Sequence, residues 1–159
     1  IAEKTHAETV LGILDARFLE MPSYAVEQSR SAACSMAELA EESINLAMEL
    51  LDNYDETKAK RVVELEDEID IFEDRIGTYL IKAGSKSLSR TDSHTASVIL
   101  HSIGDLERIS DHCSNIAVCL LEVHDDELDS HAYLSQLKKD DNIDFTGKVL
   151  VYEKRYQLP

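Results

Sequence analysis

The sequence predicts an all-α protein, an antiparallel three-helix bundle with a short helical C-terminal arm. Its 159 residues include five glycines, two prolines and an aromatic fraction of 6%, a composition that favours helix over sheet. In three long stretches, apolar residues recur at alternating three- and four-residue steps, the spacing of one buried stripe on a helix. Capping residues lie at the ends of these stretches, and the connections between them are short, which favours an antiparallel bundle.

The first two predicted helices cover 22–52 and 56–83. Pro22 suits a first helical turn, and Asp55 is placed to cap the second helix. The second helix ends at Lys82-Ala83-Gly84, with a cation in the last turn and a glycine beyond it. The buried stripe of the first helix is Met36, Leu39, Ser43, Leu46 and Leu50, and that of the second is Leu65, Ile69, Phe72, Ile76 and Tyr79.

The third predicted helix covers 90–124. Ser89 to Asp92 has the pattern of a capping box at its start. Its seam is Ile99, Ile103, Leu106, Ser110, Cys113, Ala117 and Leu120. We therefore divide the chain into an N-terminal connector (1–20), the bundle (21–126) and a C-terminal arm (127–159) that packs on the bundle or on a partner.

The charge balance excludes several classes of partner. With 32 acidic and 16 basic residues, the formal net charge is −16, which repels nucleic acid, anionic lipid surfaces and free phosphate. The longest apolar run, Ile116 to Leu121, is far shorter than the ~20 residues that span a bilayer. Three cysteines without a CxxC pair indicate reduced thiols rather than a disulfide framework or a thiolate zinc site. We expect a soluble fragment, and any membrane portion would precede Ile1.

Two acidic rows carry the chemistry. Four-residue spacing puts each row on one helix face, one position after the apolar seam. In an antiparallel helix pair the rows can face each other and hold a divalent or trivalent cation between carboxylates. The other interpretation is a solvated acidic face, and His112 is a further candidate ligand. The predicted metal-site residues are Glu66, Asp70 and Asp74 on the second helix, and Glu107, Asp111 and Asn115 on the third.

The third helix also carries a family resemblance. The string Asp105-Leu-Glu-Arg-Ile-Ser-Asp-His112, followed by Asn115-Ile-Ala117, resembles the PhoU-family signature DLERIGDH with NIA after it, with Ser110 in place of glycine. Glu66-x-x-x-Asp70 is similar to the E-x-x-x-D motif of the family. The segment 14–19, with Pro22 and 27–30, resembles the entry to this domain in bacterial sodium/phosphate cotransporters.

The resemblance implies iron or zinc clusters on the acidic motifs and a role in regulating phosphate uptake. The motif positions are Glu66, Asp70, Glu107 and Asp111, whereas Asp74 and Asn115 extend them by geometry alone. Free-standing members of the family have two three-helix repeats, and this chain supplies one.

We therefore expect a non-catalytic regulatory domain on the cytoplasmic side of a sodium-dependent phosphate transporter. Its partner would be the membrane portion of the same or a neighbouring chain. A homodimer with the third helix near its axis is also expected, because that helix is apolar over more than one face. The alternatives are a cytosolic PhoU-type regulator outside a transporter chain, and a carboxylate-bridged metalloenzyme acting on phosphate esters.

Overall fold

The computed structural model describes residues 6–124, with side chains from Thr9 onward. Over this range the chain is helical and contains no strand, which confirms the predicted fold class. The elements are α1 (His6–Leu11), a 3₁₀ helix (Ala16–Glu20), α2 (Pro22–Asp52), α3 (Glu56–Gly84) and α4 (Arg90–His124). The three long helices match the predicted boundaries to within one residue. None of the described helices has an apolar stretch long enough to cross a bilayer.

The chain divides into two compact units, residues 1–121 and 122–159. The three-helix packing described below belongs to the first unit. The predicted C-terminal arm, 127–159, lies outside the described residues. The predicted division into connector, bundle and arm stays a prediction.

Side-chain caps start the second and third long helices. Asp55 Oδ1 accepts a hydrogen bond from the Lys58 backbone N–H at 2.9 Å, as the sequence predicts. At the start of α4, Ser89 Oγ accepts from the Asp92 N–H at 3.0 Å and donates to Asp92 Oδ2 at 2.7 Å. Ser23 Oγ of α2 donates to the same carboxylate at 2.7 Å, and these hydrogen bonds hold the pKa of Asp92 below its ordinary value. The capping box thus also ties the starts of α2 and α4 together.

The end of α3 differs from the prediction. Gly84 is the last helical residue rather than a left-handed residue beyond the helix, and no described residue has a positive φ. Ser85 closes the helix instead. Its backbone N–H lies 3.2 Å from the Ile81 carbonyl and 3.3 Å from that of Lys82, and its hydroxyl donates to the Lys82 carbonyl at 2.7 Å. A serine hydroxyl therefore satisfies a carbonyl that a glycine cap would leave to the backbone.

The three long helices run up, down and up. Ser23 and Asp92 meet at the starts of α2 and α4, and Leu51 and Leu120 line one groove near their ends, so these two helices are parallel. The intervening α3 runs antiparallel to both. A methyl group built on Gly77 of α3 would lie 4.0 Å from Ile103 Cδ1 of α4, so these two helices pack closely.

The core is the set of stripes that the periodicity predicts. Leu46, Leu106 and Leu120 are partly buried, and the other predicted stripe residues are buried. The largest fully buried side chain is Phe72 of α3. Two clusters make up most of this core, one around Met36, Ile69, Phe72, Ile76 and Ile103 and the other around Ala47, Leu50, Val62, Cys113 and Ala117.

The predicted connector contains helical turns that pack on the bundle. Leu11 at the end of α1 is 5% exposed and belongs to the main core cluster. Asp15 caps the 3₁₀ helix and pairs with Arg17 at 2.7 Å, which lowers the pKa of that carboxyl to about 2. Tyr79 Oη of α3 donates to the Asp15 carbonyl at 2.9 Å. These contacts hold the segment against the end of α3.

Candidate functional site

The two acidic rows lie on α3 and α4 beside the seam that joins these helices. Glu66 and Glu107 are partly buried, whereas Asp70 and Asp111 are exposed. The first two carboxylates of each row follow a residue of the buried seam by one position, about 100° around the helix axis. This position places the first carboxylate of each row at the edge of the helix–helix contact, with the rest of the row nearer solvent.

Glu66 interacts with carboxylates of both rows. Its pKa is raised, first because burial disfavours the charged form and then because of nearby negative charges. Those charges are Asp70 and Asp67 on its own helix, and Asp111 and Glu107 on α4. Glu66 therefore interacts electrostatically with three of the other five predicted residues, Asp70, Glu107 and Asp111. Asp67 is a further acid near Glu66, which the sequence reasoning passed over because it is outside the four-residue spacing.

The two geometric extensions lie beside different features. Asp74 is exposed and lines a cavity of about 190 Å³ under the N-terminal segment, next to Arg75 and Tyr79. Asn115 is exposed and lines a groove between the ends of α2 and α4, next to Leu51 and Ile116. Their part in a metal site stays a prediction.

Arg61 neutralises one side of the acidic stretch of α3. Its guanidinium pairs with Glu68 at 2.8 Å, with Glu42 of α2 at 2.9 Å and more distantly with Glu64 at 3.8 Å. The hydrogen bond that Arg61 donates to Glu42 is the largest of the causes that raise the Arg61 pKa. The sequence reasoning missed this residue, although its spacing of three and seven from Glu64 and Glu68 was the available signal.

Three other basic residues lie near the acidic rows along the chain. Lys60 pairs with Glu56, and Arg108 pairs with Asp105 at 3.0 Å. Arg75 lines the cavity beside Asp74 and forms no ion pair with another described residue.

The acids of α3 and α4 that interact electrostatically with Glu66 form no ion pair with a described basic side chain. Within residues 9–124, no ion pair involves Glu66, Asp70, Glu107 or Asp111, in contrast to the neighbours of Arg61. We call these four residues the acidic facet. Like charges at this spacing destabilise a helix by a few tenths of a kcal/mol per pair, so the facet has a standing electrostatic cost that a cation would relieve.

The donor chemistry suits a hard cation, but the side chains are not gathered around one point. Carboxylate oxygens are the ligands that hard cations prefer. Among the described side chains, no group of three or more His, Cys, Asp or Glu residues lies close enough to hold a metal ion. His112 is exposed and is in no such group. Binding would therefore require the exposed carboxylates to rotate toward Glu66.

Comparison with protein families decides what kind of domain this is. The PhoU domain model matches residues 33–120, more than half of the chain. The chain belongs to the PhoU domain family. The match spans most of α2, all of α3 and nearly all of α4, and it includes both acidic motifs. No curated protein and no solved structure shows significant similarity to the chain.

Membership of the PhoU family makes this a regulatory domain of phosphate homeostasis. It confirms the resemblance that the string at 105–112 indicated.

Proposed function

We propose that this PhoU domain regulates phosphate uptake by binding, without catalysis, to the membrane portion of a sodium-dependent phosphate transporter. The partner would lie in the same or a neighbouring chain, with the domain on the cytoplasmic side. The observation that carries the proposal is the acidic facet: Glu66 interacts with carboxylates of both helices, and no described cation neutralises them. Support for the transporter comes from the segment 14–30, which resembles the entry to this domain in sodium/phosphate cotransporters.

The charge of the domain decides how a phosphate signal would reach it. At a net charge of −16, free phosphate is repelled, and an anion site would need cations that the facet lacks. A divalent or trivalent cation, iron or zinc by family resemblance, would instead be attracted. Held by Glu66 of α3 and Asp111 of α4, it would neutralise the facet and link the two helices. The state of the site would then change the surface offered to the membrane portion.

The surroundings of the facet favour binding over catalysis. A metalloenzyme needs an open coordination position with a substrate pocket beside it. The cavity under the N-terminal segment and the grooves between α2 and α4 are lined by other residues and contain none of the four facet carboxylates. The facet lies on the outer edge of a helix pair, where a flat partner can reach it.

Phosphate uptake in cells tests the proposal. In bacteria that express the parent reading frame, we would combine the substitutions Glu66→Gln and Asp111→Asn in one variant. Radiolabelled phosphate uptake would be followed before and after external phosphate is raised. We expect basal uptake to persist and its decline at high phosphate to be largely lost. The matched control is Glu38→Gln with Asp52→Asn, which removes the same two charges from exposed positions of α2.

Two results would contradict the proposal. One is a normal phosphate response in the facet variant at normal protein level. The other is an equal loss of response in the control, which would make net charge rather than the facet responsible. If the response depends on the facet but persists when the domain is expressed apart from any membrane portion, the cytosolic PhoU-type regulator is the correct alternative.

A further inference from the structure

The parallel helices α2 and α4 each carry a second row of residues that faces away from α3. Each row has the alternating three- and four-residue steps of a buried seam, and it lies one or two positions after the seam on α2 and one position before the seam on α4. On α4 the second row precedes the seam, whereas the acidic row follows it, so the two rows lie on opposite sides of the helix. The rows are Arg30, Cys34, Ala37, Glu41, Ile44, Met48 and Leu51 on α2, and Val98, Ser102, Asp105, Ile109, His112, Ile116 and Cys119 on α4.

Two grooves follow one another along this α2/α4 face. The first, of about 500 Å³, lies between Cys34 and Ala37 of α2 and Val98 of α4. The second, of about 430 Å³, lies between Leu51 of α2 and Ile116 and Cys119 of α4. Both are lined largely by apolar side chains. A three-helix bundle needs one seam per helix, so this second pair of rows exceeds what the fold itself uses.

The half of this face near the helix C-termini is apolar and without formal charge. Met48 is 61% exposed and Leu51 57%, high values for large apolar side chains. The charged residues of the two rows lie in the other half or at the middle, where Arg30 pairs with Glu27 at 2.5 Å and Asp105 pairs with Arg108 at 3.0 Å. We call the uncharged half the apolar patch, and its members are Ile44, Met48, Leu51, Ile109, Ile116 and Cys119.

We propose that two copies of this chain associate through the apolar patch, with α2 and α4 of one copy packed on α2 and α4 of the other. The inference does not depend on metal binding or on a transporter. The sequence predicts only that α4 lies near the axis of a homodimer, whereas this proposal defines the contact surface. Among the apolar residues of α4 between Leu106 and Cys119, Cys113 is buried and Leu106 is half-buried, whereas Ile109 and Ile116 are exposed and can make contact.

For two copies of this chain, charge favours contact at this surface over contact at any other surface. Each copy carries −16, so two copies repel unless they meet where charge is lowest. The patch is the uncharged half of its face and lies on the side of α4 away from the acidic facet. In a two-fold dimer the same patch is buried on both copies, so each uncharged surface meets another.

The size of the face predicts a weak and reversible dimer. The two rows extend over about 30 Å at ~1.5 Å per residue, and two helices with axes ~9 Å apart give roughly 550–600 Å² per copy for the whole face, of which the patch is about half. Contact over the whole face would bury a total of roughly 1,100–1,200 Å², at the lower end for specific association, and contact over the patch alone would bury roughly half of that. Dissociation in the micromolar range is therefore the expectation, with the patch as the part of the contact that stabilises it.

Thiol labelling and light scattering test the surface directly. Cys34→Ser leaves Cys119 as the exposed native thiol, since Cys113 is buried, and Ile81→Cys adds a control thiol at an α3 position that is 69% exposed. From low to high micromolar concentration, in the presence of chelator, we expect the mass to rise from 17.9 kDa toward twice that value. Maleimide labelling of Cys119 should slow over the same range, whereas labelling at position 81 should not.

A matched pair of variants separates this surface from general stickiness. Met48→Glu puts a charge at the centre of the patch and should weaken association by roughly tenfold or more, because the charge would have to be desolvated. Ile81→Glu makes the same change at a similarly exposed residue of α3 and should have no effect. Helical circular dichroism verifies that both variants are folded.

Three outcomes would overturn the proposal. The first is a single-chain mass at every concentration, which would leave the patch to a different partner. The second is association without protection of Cys119, or association that Met48→Glu and Ile81→Glu weaken equally. The third is association that chelator abolishes, since that would place the contact at the acidic facet.

Discussion

Three serines are fully buried in the bundle, and only one of them has a hydrogen-bond partner among the described residues. Ser29 Oγ donates to the Ala25 carbonyl at 2.9 Å. The hydroxyls of Ser43 and Ser110 have none, although both residues are 0% exposed. A buried hydroxyl without a partner costs about 1–3 kcal/mol. Ser110 is also the residue at which the signature string departs from the family pattern.

This contrast predicts the effect of removing each hydroxyl. Ser110→Ala should raise the free energy of unfolding by about 1 kcal/mol, because it removes an unsatisfied polar group at little change in volume. Ser43→Ala should act in the same direction. Ser29→Ala is the control and should be neutral or destabilising, since it removes a hydrogen bond that is made. Urea unfolding measures all three, and a destabilised Ser110→Ala would show that its hydroxyl has a partner in solution.

At the scale of the helices, the elements that the sequence predicts well are those whose own residues determine them. The starts of α3 and α4 follow from local caps, Asp55 and the Ser89–Asp92 pair, and the buried faces of all three long helices follow from periodicity. The turns at 6–20 were missed because six-residue and five-residue helices are too short to show a period. They are held by tertiary contacts, above all the hydrogen bond of Tyr79 to Asp15.

The candidate site also combines features that local sequence spacing predicts with features that depend on tertiary contacts. Four-residue spacing and antiparallel packing predict that Glu66 lies near Asp111 and Glu107, and the charges of these two residues contribute to its raised pKa, whereas a metal site made of them stays a prediction. Which cations neutralise which acids was not predictable, because Arg61 reaches across to Glu42, a residue 19 positions away on α2. Solvent and ligands, rather than sequence spacing, determine the rotamers of exposed carboxylates. The sequence therefore does not determine whether these side chains gather around one point.

The junction of α3 and α4 makes a prediction about pH. The raised pKa of Glu66 means that the folded state holds its proton more readily than the unfolded state does. The charged form of Glu66 therefore costs stability above its folded pKa, and that cost fades as pH falls toward the ordinary carboxyl value. Glu66→Gln should raise the free energy of unfolding at pH 7 by at least a few tenths of a kcal/mol.

This gain should shrink progressively as the pH is lowered toward the ordinary carboxyl range. Thermal unfolding of the chelator-treated protein at several pH values measures it. Glu38→Gln, which removes an exposed charge from α2, should change stability less. A Glu66→Gln variant that is less stable than wild type at pH 7 would show that the charged carboxylate is stabilised by a partner.

At the scale of the whole molecule, the two proposed binding surfaces lie on opposite sides of α4. The acidic facet on the α3 side would take a cation, and the apolar patch on the α2 side would take a second copy of the chain. Because the two surfaces share one helix, a cation that links α3 to α4 would also stiffen the helix that carries half of the patch. Both surfaces are compatible with the regulatory role of the PhoU family, but the proposed function rests on the acidic facet alone.

The most direct test of the account is a calorimetric titration of the metal-free chain with zinc or ferrous iron, compared among wild type, Glu66→Gln, Asp111→Asn and the double variant. If α3 and α4 supply one shared site, wild type binds the metal and each single substitution weakens binding by roughly tenfold or more. The double variant should then be little weaker than either single variant, because both residues serve the same ion. Absence of binding by wild type, or losses that add independently, would contradict a site shared by the two helices.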